Sequence, residues 1–187
     1  IEINNNHIIS KKEIIKKLTH IYGKNILFIA GDDLQKPLKS IDFLEKIEVK
    51  KRYPNTVIIK VYETKPIAVL FKKNRKYLLD DASNLITLKE NMFIDDFPNI
   101  FGDGAEQEFI NFFNQLENNN FPKNRIKNFY YFQIGRWDLQ LSNEQIIKFP
   151  PNKTTKAIHQ SVELLRHKNF KNYNIIDLRV EGKIVVE

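Results

Sequence analysis

The chain has 187 residues, 42% of them hydrophobic, with 30 Lys and Arg against 23 Asp and Glu for a net charge of +7. This length fits one large or two small domains. The absence of cysteine excludes disulfides, thiolate metal sites and cysteine nucleophiles. No run approaches the roughly 18 apolar residues of a membrane span, and no signal peptide is recognisable. The charge is unevenly spread. Residues 1–90 carry 18 basic and 11 acidic side chains, and residues 91–187 carry 12 of each. That asymmetry hints at two domains. A solvated Lys-rich surface explains the basic half, and nucleic acid or anionic lipid are the alternatives.

In chain order, Ile1 to Ile9 reads as a short strand and turn. Ser10 and Glu13 form a capping box, with Ile9 and Ile14 placed as a hydrophobic staple. Ile14, Ile15, Leu18, Ile21 and Tyr22 follow one helical face, and Gly23 stops the helix. Asn25 to Phe28 is expected to be an extended link. Asp32 or Asp33 caps a second helix expected to run to about Leu44, with Pro37 early in it. Ile47 and Val49 begin a strand, Tyr53-Pro54-Asn55 turns it, and Val57, Ile59 and Val61 alternate in the next. The order strand, helix, helix, strand, strand makes a small three-stranded unit ending near Glu63.

Thr64-Lys65-Pro66 marks a boundary, because Pro66 interrupts a ladder and biases Lys65 to extended geometry. Beyond it the period is mostly two. Ile67 to Phe71, Tyr77 to Asp80 and Leu85 to Leu88 read as a meander, and Phe97 to Gly104 as a loop. Ala105 to Leu116 is an amphipathic helix with Phe109, Phe112, Phe113 and Leu116 inward. Ile126 to Ile134, Trp137 to Leu141 and Gln145 to Phe149 are strands, Pro150-Pro151 breaks the sheet, and Thr154 to Arg166 is a helix. Tyr173 to Arg179 and Lys183 to Glu187 then flank a turn carrying Glu181 and Gly182, which reads as a hairpin. Its second run reaches the last residue, so an uncovered edge strand is expected there, with free backbone groups able to pair with another chain.

Little else in the sequence carries chemistry. His7, His20, His159 and His167 have no metal-ligand spacing; His159 and His167 lie two helical turns apart. The acidic pairs Asp32-Asp33, Asp80-Asp81 and Asp95-Asp96 point to opposite faces on a strand, and capping or turns explain the first two. No nucleophile elbow or Gly-rich phosphate loop is present. The sole tryptophan, Trp137, reads as a strand anchor in or near the core rather than a binding surface. Arg179 has two readings: a local ion pair with Asp177, and a rim cation beside the final strand, open to a partner's carboxylate. No catalytic residue, metal, cofactor or small-molecule substrate is expected. Nucleic-acid binding lacks a recognition helix or stacking platform.

The stretch Arg52-Tyr53-Pro54-Asn55-Thr56-Val57-Ile58-Ile59-Lys60-Val61-Tyr62-Glu63-Thr64-Lys65-Pro66-Ile67-Ala68 resembles the junction of the bacterial FtsQ (DivIB) cell-division family. The resemblance continues at Leu78-Leu79-Asp80-Asp81, Phe97-Pro98-Asn99-Ile100-Phe101-Gly102, Arg136-Trp137-Asp138-Leu139-Gln140-Leu141, Lys148-Phe149-Pro150 and Ile176-Asp177-Leu178-Arg179. It implies an α+β chain: a POTRA domain (β-α-α-β-β) over residues 1–64, then over 65–187 a mostly antiparallel β domain with two or more helices and an open C-terminal edge strand. It also implies a periplasmic region, held to the inner membrane by a single span absent from this chain and concentrated at the division septum. The implied role is a non-enzymatic scaffold that binds the periplasmic segments of FtsB and FtsL, with other divisome proteins, and helps assemble septal peptidoglycan synthesis. The last strand is implied to pair with a strand of FtsB. The expected contact residues are Arg179, Val180, Gly182, Lys183, Ile184, Val185 and Val186; some family members carry aromatic residues where Val180 and Val186 stand here. The alternative is a POTRA-type assembly factor that receives substrate strands in outer-membrane protein biogenesis.

Overall fold

Alternating apolar residues and two capped apolar stripes give the N-terminal part its form. In a computed structural model, which describes residues 1–88 and 96–187 (without the side chains of Lys168 and Lys171), the chain separates into two compact units. The first comprises Ile1–Pro66 with Asp80–Ala82, and the second Ile67–Leu79 with Ser83–Glu187.

The first unit runs β1 (Glu2–Asn4), α1 (Lys11–Lys17), α2 (Gly31–Leu38), β2 (Leu44–Arg52) and β3 (Thr56–Glu63). β3 is central: β1 joins it in parallel and β2 antiparallel. Val57, Ile59 and Val61 turn one face of β3 inward, where they are buried together with Ile14, Leu18, Leu34 and Leu38. Each such burial contributes about 1.5–3 kcal/mol. The Ser10 hydroxyl accepts from the Glu13 N–H at 3.2 Å and starts α1, with both staple residues buried. The Glu63 carboxylate, at the end of β3, accepts from the backbone N–H groups of His7, Ile8 and Ile9 at 2.8–3.0 Å and so fixes the loop after β1.

Three local expectations are corrected here. Asn25–Phe28 is not extended: Ile26–Phe28 is a 3-10 turn capped by the Asn25 side chain. Tyr22 does not join the buried stripe, because α1 gives way to a 3-10 turn at Thr19–Ile21 and the ring swings out. The second helix stops at Leu38 rather than near Leu44, since Leu44 is already paired with Glu63 in the β2–β3 ladder. Pro37 therefore lies in its last turn, not early in it, and has no N–H for the Asp33 carbonyl four residues back. His20 Nε2 sits 3.0 Å from that oxygen, in place to donate the missing bond.

The second unit is built on β4 (Pro66–Lys72), β5 (Arg75–Asp80), β6 (Leu85–Thr87), β7 (Asn99–Phe101), α3 (Ala105–Asn118), β8 (Ile126–Phe132), β9 (Arg136–Leu141), β10 (Ile146–Lys148), α4 (Thr154–Arg166), β11 (Ile175–Asp177) and β12 (Val185–Val186). Among the described residues these strands form one sheet in the order β12-β11-β10-β9-β8-β7-β4-β5-β6. Neighbours are antiparallel at β11–β12, β9–β10, β8–β9 and β5–β6, and parallel at β10–β11, β7–β8 and β4–β7. One face carries Leu70, Ile100, Phe129, Leu139, Ile147 and Ile176, buried with Phe109, Phe112 and Leu116 of α3 and Ile158 and Val162 of α4. Phe113 is only partly buried.

The segment Phe97 to Gly104 is not wholly a loop. Asn99–Phe101 is inserted in parallel between β4 and β8, and Ile100 is fully buried. Three residues are too few to show a period. The strand after α3 ends at Phe132, leaving Ile134 in an exposed turn before Gly135. The closing hairpin is real, but its connection spans residues 178–184 and its second strand is confined to Val185–Val186. Asp95 lies outside the described residues.

Candidate functional site

The site is the end of the sheet formed by β10, β11 and β12. Its register follows from the alternation of side chains. Tyr130, Asp138, Lys148, Asp177 and Val185 are successive cross-strand partners from β8 to β12, and so lie on one face. Ile147, Ile176 and Val186 lie on the opposite face, against the core. Asn174 and Ile175 both donate to the Glu187 carbonyl, at 2.7 and 3.1 Å, and Glu187 donates back to Ile175. Glu187 and Ile175 are therefore a hydrogen-bonded pair, and antiparallel alternation turns the N–H and C=O of Val186 away from β11. Among the described residues no strand pairs with that outer side.

Each expected contact residue has a definite place. Val180, Ile184 and Val185 are exposed, at 55%, 40% and 47% of their surface. Val186 is half-buried against the core. Gly182 adopts φ +74, a left-handed turn conformation that a side chain would strain. The Lys183 N–H closes that turn on the Val180 carbonyl at 3.1 Å. Leu178, which precedes Arg179, is buried and donates to the Lys148 carbonyl at 2.9 Å. Arg179 forms the local pair: its Nε lies 2.9 Å from both Asp177 carboxylate oxygens, and its backbone N–H donates to Oδ1 at 3.0 Å. Burial pushes the Asp177 carboxyl up, but the Arg179 hydrogen bonds outweigh it and hold the group below its ordinary value. The guanidinium remains partly open to solvent, so the ion pair and the rim position coexist.

Two features had no signal in the sequence. Lys153 and Lys156, at the start of α4, reach the Glu181 carboxylate at 2.6 and 3.3 Å, a tie across 28 and 25 residues. These hydrogen bonds lower the Glu181 pKa. Beneath this tie is a cleft of about 290 Å³ lined by Pro150, Lys153, Ala157, Leu178, Val180 and Gly182, among others. Asp138 is the second feature. It is buried next to Arg136 at 3.3 Å, and burial raises its pKa despite the lowering fields of Arg136, Lys148 and Arg179.

The other chemistry-bearing residues lie elsewhere. Trp137 is buried, stacked 5.1 Å from Phe112 with the rings nearly parallel. His7, His20, His159 and His167 are exposed. Asp32 pairs with Lys36, Asp33 accepts from the Ala30 N–H, and Asp80 accepts from the Ala82 N–H in a turn. No cluster of His, Asp and Glu suited to a metal occurs among the described residues.

The POTRA domain, FtsQ-type, matches residues 1–64, and the cell division protein FtsQ/DivIB C-terminal family matches residues 68–179. The chain belongs to the FtsQ/DivIB family. Its α+β organisation is that family's: a β-α-α-β-β unit followed by a helix-bearing β domain. The cell division protein FtsQ of Rickettsia conorii is 28% identical over 96% of this chain and 67% of its own length. FtsQ of Agrobacterium fabrum is 21% identical over the whole of this chain and 60% of its own length. This FtsQ/DivIB chain thus spans about two thirds of its rickettsial relatives. Among solved structures, the major extracytoplasmic domain of DivIB from Geobacillus stearothermophilus aligns with 52% of this chain and 87% of that one. Its identity is 10% and its TM-score 0.36, too low to establish a common fold. Among the described residues no helix is long and apolar enough to cross a membrane.

Proposed function

We propose that this member of a cell division family is a non-enzymatic scaffold that recruits its partner by strand addition at β12. The observation that carries the reading is the outer side of β12 at the end of the sheet, on which no strand pairs among the described residues, bordered by exposed Val180, Ile184 and Val185. Backbone pairing supplies the affinity in this mode, and alternate side chains supply the selectivity. Ile184 and Val185 offer apolar contact, and Arg179 and Lys183 offer charge. The partners are the periplasmic segments of FtsB and FtsL, acting with other divisome proteins in septal peptidoglycan synthesis. Residues 1–64 serve as the POTRA domain and 65–187 as the recruiting domain of a periplasmic region tied to the inner membrane at the septum.

The test is titration of this chain with the periplasmic part of FtsB, alone and with FtsL, for wild type and Ile184→Pro. Proline at 184 removes a backbone N–H that the β12 alternation turns outward. Binding by the wild type and its loss in the variant, with the fold retained, supports strand addition. Equal binding by both refutes it.

A further inference from the structure

A second surface lies in the first unit, at the end formed by residues 22–29 and the β2–β3 turn. The run Ile26-Leu27-Phe28-Ile29 is wholly apolar, but only half of it serves the fold. The 3-10 turn brings residues three apart to one side, so Ile26 and Ile29 are buried while Leu27 and Phe28 point out. Leu27 is 62% exposed and Phe28 80%. Tyr22 and Tyr53 are also exposed, Tyr22 on the rim of a cleft that Pro54 lines from the β2–β3 turn and Ile1 from the start of β1. Four of the five exposed large apolar side chains described in the first unit thus lie on segments around one cleft; Ile8 is the other.

No carboxylate lines this cleft among the described residues, and the first unit as a whole is basic. Residues 1–66 carry 13 Lys and Arg against 8 Asp and Glu, a net +5. Lys24 lines the cleft, and Lys51 stands at the end of β2 before the turn. Neither enters an ion pair among the described residues. The acidic groups on the neighbouring segments are already engaged: Glu2 with Arg52, Asp32 with Lys36, and Asp33 with the Ala30 N–H. Outward Leu, Phe and Tyr side chains beside unpaired lysines match the interface of an anionic bilayer, with rings at headgroup depth and ammonium groups on phosphate.

We propose that this tip docks on the surface of an anionic membrane, with Leu27 and Phe28 inserted and Lys24 and Lys51 against the headgroups. The site is separate from β12, so failure of either reading leaves the other standing. The experiment is flotation of the full chain with vesicles of phosphatidylcholine alone or mixed equally with phosphatidylglycerol, at low and physiological salt. The expected result is co-flotation with the phosphatidylglycerol vesicles, weakened by salt. Leu27→Ser/Phe28→Ser lowers the partition roughly tenfold or more, because both side chains are spent outside the core. Thermal melting of that variant stays as in wild type. In Phe28→Trp, the new indole is quenched by brominated lipid, while buried Trp137 is not. The proposal is overturned if the chain stays in solution with anionic vesicles at low salt. It is also overturned if the double variant floats as well as wild type, or if emission from the introduced indole ignores brominated lipid. Loss of a protein partner with unchanged vesicle binding in the double variant would assign the patch to that partner and overturn it too.

Discussion

Gly102 joins β7 to the turn before α3, and its replacement by alanine tests how the second unit is held together. The backbone there has φ +117, and an added Cβ would lie 2.2 Å from the carbonyl oxygen of Tyr131 on β8. That oxygen belongs to the strand backbone and has no free end to rotate away. The conformation itself costs about 1–2 kcal/mol for a residue with a Cβ, and relief of the overlap adds about 1–3 kcal/mol. The sum is about 2–5 kcal/mol, against a total of about 5–15 kcal/mol for an ordinary domain. Gly135→Ala is the control, since Gly135 has φ +77 but open space around it; only the conformational cost of about 1–2 kcal/mol applies. The assay is urea unfolding followed by the single tryptophan, Trp137, which lies in the core of the second unit and reports on it alone. With a slope of about 1–3 kcal/mol per molar urea, Gly102→Ala moves the midpoint down by about 1–2 M, and further than Gly135→Ala. Equal shifts in the two variants would mean that the approach of Gly102 to β8 does not govern stability.

Other outcomes follow from the same physics. Glu63→Gln replaces an oxygen that accepts backbone N–H bonds with an NH₂ group, which costs the first unit about 1–3 kcal/mol; faster amide exchange at Ile8 and Ile9 reports it. Phe112→Ala removes the ring stacked on Trp137 and costs about 3–5 kcal/mol, with a red-shifted Trp137 emission. The lowered pKa of Asp177 contributes stability that is present above pH 3.8, the ordinary value, and is lost as pH falls through the folded-state value. Asp177→Asn therefore destabilises the second unit at pH 6, and the difference from wild type closes below pH 3.8. Asp138 has the opposite sign: its raised pKa means that a penalty develops as pH rises above 3.8. Urea midpoints across pH 3–7 in Asp138→Asn lose that part of the slope.

The sequence was most informative where a pattern was long or a cap was local. The α3 stripe at Phe109, Phe112 and Leu116, the Ser10 cap and the β3 alternation could be read directly because each spans several periods or sits within one turn. Short elements escaped. β7 has three residues and is made a strand by its neighbours β4 and β8, which no local pattern encodes. The end of α2 was misplaced because Leu44 was drawn into pairing with a strand 19 residues away. At the site, the hairpin and the chemistry of Arg179 beside Asp177 were legible because they lie two residues apart. The tie of Lys153 and Lys156 to Glu181 was not, since only the folded chain brings α4 to that loop.

The central claim is that β12 receives a partner strand, and backbone alternation makes it testable residue by residue. Amide exchange of the chain should be measured with and without the periplasmic segment of FtsB. Strand addition predicts new protection at the outward amides of Ile184 and Val186, with little change at Val185 and Glu187, which already face β11. Binding without added protection at Ile184 and Val186 would contradict it.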